Sequence, residues 1–237
     1  MPRRRVFQTS LMSALIAGVY DGDLSVGELL THGDFGLGTF DSLDGEMVVL
    51  DGVCYRMRAD GTVTPAASTD ETPFAVVMEF VPDQVIEVTG PIDMTRLFEL
   101  VGAESDNYLY AVRVTGHFAS VTTRTVSVQT KPYPPLRDAV RGQAMMTFTE
   151  VDGAIAGFET PLYGRGIGVP GGHVHFITAD RSRGGHVLDF QLVSGTIEIC
   201  VGTDLDLRLP LDAEFEDAEL SPPDLDAQVH AAETQPT

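Results

Sequence analysis

Apolar and polar positions change their period several times along the chain, and each change marks an element. Over "TSLMSALIAGVYDGDLSVGELL" the apolar residues recur at helical spacing behind Thr9 and Ser10, two residue types that cap helix starts. The whole N-terminal stretch, "MPRRRVFQTSLMSALIAGVYDGD", is therefore read as a first helix. From Gly38 the pattern shortens to β-rich runs. "GTFDSLDGEMVVLDGVCYRMRADGTVTPA" sets Asp44-Gly45, Asp51-Gly52 and Asp60-Gly61 between them, the turn chemistry of a meander. "PIDMTRLFELVG" returns to helical spacing, with Asp93 near its start and Gly102 at its end. "NYLYAVRVTGHFASVTTRTVSVQ" alternates over a length that predicts one long strand or two in succession. "AMMTFTEVDGAIAGFETP" predicts a hairpin about Asp152-Gly153, and "HVHFI", "HVLDFQLVSG" and "TIEICVG" predict further strands. "SPPDLDAQVHAAE" predicts a closing helix with proline in its first turn.

These elements describe an α+β chain dominated by strands, in two packed lobes. The proline-rich stretch "KPYPPLRDAVRGQ", with Pro132, Pro134 and Pro135, is the best boundary. It separates a mixed-sheet N-terminal lobe, 1–131, from a smaller β-rich C-terminal lobe, 132–237. No repeat at solenoid periods is present.

Composition narrows the function. At 237 residues, 43% hydrophobic and 21% charged, the chain has the balance of a soluble globular protein. No apolar run approaches the ~18 residues of a membrane span. Three arginines before an apolar run resemble a secretory leader, but Gln8, Thr9, Ser10 and Ser13 interrupt that run and no small-residue cleavage site follows. The expected compartment is the cytoplasm. A net charge of −20 repels nucleic acid and anionic lipid, so neither is an expected partner. An anionic substrate would need a local positive centre, a metal or an arginine. Cys54 and Cys200 stand far apart, without the spacing of a thiolate metal site or a disulfide framework. The segment from Thr203 to Thr237 carries ten acidic residues and one arginine, and reads as a solvated surface segment.

Three of the six histidines fall in "GVPGGHVHFITADRSRGGHVLDF", spaced H-x-H-x10-H. On a strand, His173 and His175 project from one face while Val174 and Phe176 project from the other. The polar "TADRSRGG" can return the chain as a hairpin and bring His186 opposite or diagonal to His175. Three imidazoles with an open fourth position suit a catalytic zinc, and imidazole also suits copper, iron or nickel. Ordinary half-buried strand histidines fit the same spacing. The glutamate that a cupin places after H-x-H is absent, with Ala179 and Asp180 standing there. The glycines of "GRGIGVPGG" lack the lysine or following helix of a phosphate loop, and read as close backbone packing around the hairpin. His32, His117 and His230 do not cluster and are read as structural.

Three motifs together, "HGDFGLGTFDSLDGEMVVLDGVCYR", "SVTTRTVSVQTKPYPPL" and "GFETPLYGRGIGVPGGHVHFITADRSRGGHVLDF", resemble the acetolactate decarboxylase family, from about Thr9 to Phe190. The resemblance implies a zinc ion held by His173, His175 and His186, and conversion of 2-acetolactate to acetoin and carbon dioxide. It also implies Arg124, Glu46 and Thr39 as site residues, with Glu233 in "VHAAE" matching a second family glutamate. A two-lobed α/β fold of mixed sheets and a homodimer are implied as well.

That chemistry has a use for each group. Loss of carbon dioxide beside a ketone leaves an enediolate, whose charge a Lewis acid on the ketone and hydroxyl oxygens stabilises. No organic cofactor is needed. The planar fork of Arg124 suits a carboxylate or an enediolate oxygen. Protonating carbon calls for a carboxyl group kept protonated near neutral pH, for which Glu46 and Glu233 are the candidates. Thr39 reads as packing or a hydrogen bond to substrate. The competing readings are a non-catalytic metal-containing binding domain and another metal-dependent keto-acid lyase or isomerase.

Overall fold

The computed structural model describes residues 2–103 and 105–233. Strands dominate, arranged in two large sheets with a few short helices. The seven-stranded sheet runs in the order Asp204–Arg208, Arg5–Thr9, Phe74–Met78, Phe35–Thr39, Glu46–Leu50, Val53–Met57, Val63–Pro65. Its meander end uses the turns read from the sequence. Asp51 and Gly52, both at positive φ (51° and 77°), make the two-residue connection from Glu46–Leu50 to Val53–Met57.

The second sheet rests on four antiparallel strands, Leu109–Thr125, Ala144–Thr160, Gly171–Thr178 and Gly184–Gly202. Each pairs with the next. The start of Gly184–Gly202 pairs back onto Gly171–Thr178, while the rest of it pairs with Leu109–Thr125, so the four close on themselves. Gln84–Val88 and Ile92–Asp93 add to the outer side of Gly184–Gly202. The expected helix is present as Met94–Val101, where the Asp93 side chain accepts from Arg96 N at 2.8 Å.

Alternation along the strands places the cores. Phe35, Leu37, Val48, Leu50, Val76 and Met78 point from the seven-stranded sheet toward Ala154, Ala156, Phe158 and Ile177 of the second sheet. Phe7, Met47, Val49, Ala75 and Val77 point the other way, under Val26 and Leu29 of the helix Val26–Leu29. A third apolar cluster, including Val112, Val114, Phe118, Val174, Phe176 and Phe190, fills the other face of the closed strands.

Three expectations are corrected. Residues 5–9 form a strand rather than part of a helix, because Val6 and Phe7 alternate between two buried faces and the backbone is paired on both sides. The helix there is only Met12–Ala17. The proline-rich stretch does not divide the molecule at 131/132. It connects Leu109–Thr125 to Ala144–Thr160, neighbours hydrogen-bonded over nearly their whole length. Finally, the acidic segment is not merely a solvated tail. Asp204–Arg208 is a parallel edge strand beside Arg5–Thr9, and the expected closing helix, present as Leu225–Glu233, is docked through Val229 and Ala232.

Candidate active site

Three imidazoles meet where the two sheets face each other. Val174 and Phe176 fill the core of the closed strands, which turns His173 and His175 toward the seven-stranded sheet. The chain reverses over residues 179–183, with Thr178 Oγ1 donating to Asp180 at 2.6 Å. His186 then returns directly opposite His175 and, on its other side, opposite Arg124. Ring centroids are 5.2, 5.0 and 5.4 Å apart, and one nitrogen from each ring lies within 4.8 Å of the others.

Burial keeps these rings neutral. It pushes His173 down to about 3, helped by the Arg124 guanidinium, and holds His175 and His186 well below the usual histidine range. Nδ1 of His175 donates to the Met47 carbonyl oxygen at 2.7 Å, which leaves Nε2 with the lone pair. That Nε2 is buried and has no hydrogen-bond partner. A buried unsatisfied acceptor is costly unless something occupies it. Three neutral imidazoles, one with an orphaned nitrogen, form a donor set that can hold a metal ion.

The carboxylates arrive from two other elements. Glu46 opens the strand Glu46–Leu50 and shares a face with Val48, so it points between the sheets. Its Oε2 is 3.6 Å from His175 Nε2. Burial pushes Glu46 up to about 7; Glu233 adds to the shift, while Arg124 and the Val126 N–H oppose it. Glu233 ends the helix Leu225–Glu233, anchored by Val229 and Ala232 in the core that also holds Met12, Leu15 and Leu136. Its Oε2 lies 3.5 Å from Arg124 Nη2, 3.5 Å from His186 Nε2 and 3.7 Å from His173 Nε2. Burial raises its pKa against the pull of Arg124.

Arg124, 4% exposed, is the cation at this end of the cleft. Its Nη1 donates to Gln143 Oε1 at 3.1 Å, and its Nε is buried without a partner. Thr39 sits opposite Glu46 on the neighbouring strand, and its Oγ1 donates to the Gly45 carbonyl at 2.9 Å. Thr39 thus braces the turn that leads into Glu46.

All seven residues singled out in the sequence line one cleft with about 470 Å³ of empty space, closed on its other sides by Met12, Leu15, Leu43, Phe74 and Leu136. The Met47 carbonyl, the Val126 N–H and Gln143 had no signal in the sequence. Two are backbone groups, and the third is brought in by strand pairing alone. Of the remaining histidines, His32 stacks on Phe7 at 3.7 Å and His117 lies between Asp152 and Glu150 at 2.9 and 3.2 Å. His230 lines a second cleft on the far side of Glu233 and His186.

The sequence model of alpha-acetolactate decarboxylase matches residues 6–222. The chain belongs to the alpha-acetolactate decarboxylase family. The alpha-acetolactate decarboxylase of Klebsiella aerogenes is 42% identical over 234 residues, covering 98% of this chain and 90% of that protein. The crystal structure of alpha-acetolactate decarboxylase from Bacillus subtilis strain 168 superposes with a TM-score of 0.95 at 41% identity, over 98% of this chain and 100% of that one. A Staphylococcus aureus protein described as similar to alpha-acetolactate decarboxylase gives a TM-score of 0.92 at 29% identity, over 97% and 100% of the two chains. The alpha-acetolactate decarboxylase family is one of carboxy-lyases, and its fold accounts for the mostly-β architecture. Glu233 lies beyond the span matched by the family model; its place in the site comes from the docking of the last helix.

Proposed function

We propose that the protein decarboxylates 2-acetolactate to acetoin and carbon dioxide, with a zinc ion held by His173, His175 and His186. The observation that carries this reading is the meeting of three buried neutral imidazoles with two raised carboxyl groups and one buried arginine in a single cleft. When bound, zinc supplies Lewis-acid withdrawal of electrons from the ketone that adjoins the departing carboxylate.

The chain's own residues do the rest. The Arg124 guanidinium faces the cleft as a fixed positive charge and orients the anionic substrate, turning the breaking bond toward the ketone's π system. Its immobilisation in a buried setting makes that charge count for more than it would in water. As carbon dioxide leaves, electron density passes to the ketone oxygen and an enediolate remains. Glu46, protonated near neutral pH by its burial, delivers a proton to carbon, and Glu233 balances the charge of Arg124 from the other side. The apolar wall of Met12, Leu15, Leu43, Phe74 and Leu136 keeps bulk water from that carbon. Thr39 holds the backbone that aims Glu46. This reading includes a homodimer, as the resemblance implies, and keeps the cytoplasm as the expected compartment.

The test is acetoin formation from 2-acetolactate by purified protein, before and after chelation and again after zinc is restored. Turnover that disappears with chelator and returns with zinc supports the proposal. No acetoin from folded, zinc-loaded protein refutes it. Turnover of other keto acids but not of 2-acetolactate would favour a different lyase in the same cleft.

A further inference from the structure

Arg124 has five N–H donors, and among the described residues its side chain meets two acceptors: Glu233 Oε2 at 3.5 Å and Gln143 Oε1 at 3.1 Å. The shorter contact is to a neutral group. We infer that Gln143 is a positioning residue for the decarboxylation, locking the Arg124 fork in place without neutralising its charge. The inference rests on the function proposed above.

The topology supplies the arrangement. Leu109–Thr125 lies between Ala144–Thr160 and Gly184–Gly202, so Arg124 has His186 on one side and Met145 on the other. Gln143 is two residues before Met145, and residues two apart at a strand end share a face. It also closes a turn. Gln143 N donates to the Val140 carbonyl at 3.3 Å, over Gly142 at φ 81°, a conformation that glycine adopts without strain. The side chain is thereby set before it meets Arg124. Gln143 does not line the cleft, so it acts through Arg124 and not on substrate.

Charge explains why the acceptor is an amide. Glu46 and Glu233 already face Arg124 in a chain of net charge −20. A carboxylate added beside Glu233 on the guanidinium would further cancel the field that draws an anionic substrate in, whereas an amide oxygen fixes geometry and takes nothing more from the charge. An apolar residue would leave Nη1, like Nε, buried without an acceptor.

The test uses Gln143→Leu, Gln143→Glu, Arg124→Lys and the double variant Gln143→Leu/Arg124→Lys in the full chain loaded with zinc. Two readouts are taken: steady-state kinetics on 2-acetolactate, and calorimetric binding of 2-hydroxy-2-methylpropanoate, a 2-hydroxy acid with no ketone to drive decarboxylation. Gln143→Leu is expected to weaken binding of the probe about tenfold, the size of a lost hydrogen bond to a charged group, with zinc content retained and the unfolding temperature lowered by only about 2–4 °C for the stranded Nη1. Gln143→Glu should weaken it further and raise KM more than it lowers kcat. The decisive comparison is the double variant, which should bind no more weakly than Arg124→Lys alone, because Gln143 has no route to substrate except through Arg124. Additive losses, unchanged probe affinity in Gln143→Leu, or no probe binding by the parent protein would each overturn the inference. Because the probe is not a substrate, failure of acetolactate turnover would strike the proposed function and leave this comparison readable.

Discussion

His175 and Met47 join the two sheets at the centre of the site, the imidazole Nδ1 donating to the carbonyl oxygen over 2.7 Å. Met47 follows Glu46 in the chain, so one hydrogen bond sets both the tautomer of the ring and its distance from the carboxyl group. Such an outer contact to a ligand ring governs its orientation and basicity. His175→Ala removes a nitrogen from the donor set and strands the Met47 carbonyl. It is expected to abolish retained metal, read by elemental analysis after gel filtration, and to cost roughly 1–3 kcal/mol of stability. A variant still holding one metal per chain would remove His175 from the ligand set.

Glu46 sets the pH dependence of turnover. Its carboxyl group is pushed up to about 7 by burial, so it carries its proton below that value and loses it above. If the protonated form donates to carbon, kcat falls as pH rises through about 7. Glu46→Gln keeps the metal, loses most activity and loses that limb of the profile. An unchanged profile in the variant would take the proton-donor role from Glu46.

Metal-free protein should be weakened by acid. His173, pushed down to about 3, stays neutral when folded, while the unfolded chain takes up protons near the ordinary value of 6.5. The stability contributed by keeping that ring neutral is present above about 6.5 and is lost as pH falls toward about 3. His175 and His186, shifted the same way, add to the loss. Glu46 has the opposite sign: its raised pKa stabilises the fold below the unfolded value, and that stability is lost as pH rises through about 7. Glu233, raised in the same direction, adds to that opposite effect, and three rings against two carboxyl groups leave a net loss between about pH 7 and pH 5. Urea unfolding of chelator-treated protein at the two values checks this. His173→Gln should shrink the loss; equal stability at both values would contradict the burial argument.

Gly157 is expected to be intolerant of a side chain. It faces the histidine strand, where a Cβ would stand 2.1 Å from the His173 carbonyl oxygen and 2.7 Å from Val174 Cα. Neither backbone atom can move without shifting His173. Gly157→Ala should cost roughly 1–3 kcal/mol by thermal or urea unfolding and weaken metal retention in parallel. Ordinary stability with full metal content would show that the strand spacing is looser than described.

The histidine hairpin was legible because alternation on a strand and the length of the return turn are local properties. His175 falls directly opposite His186, as the spacing allows. The Asp93-capped helix and the Asp51-Gly52 turn were legible for the same reason. What escaped depends on distant pairing. Residues 5–9 read as helix because Val6 and Phe7 run into the true helix Met12–Ala17, and only partners at 75–78 and 204–208 make them a strand. The proline-rich stretch read as a boundary because prolines interrupt pairing locally, yet the strands on either side pair with each other. Gln143 reaches Arg124 through that same pairing.

The central claim, that one ion sits among His173, His175 and His186, is tested most directly by crystals of the zinc-loaded protein measured on both sides of the zinc absorption edge. A single anomalous peak within bonding distance of all three rings, lost in chelated crystals, is the predicted result. A peak elsewhere on the chain, or none between these imidazoles, would contradict the account.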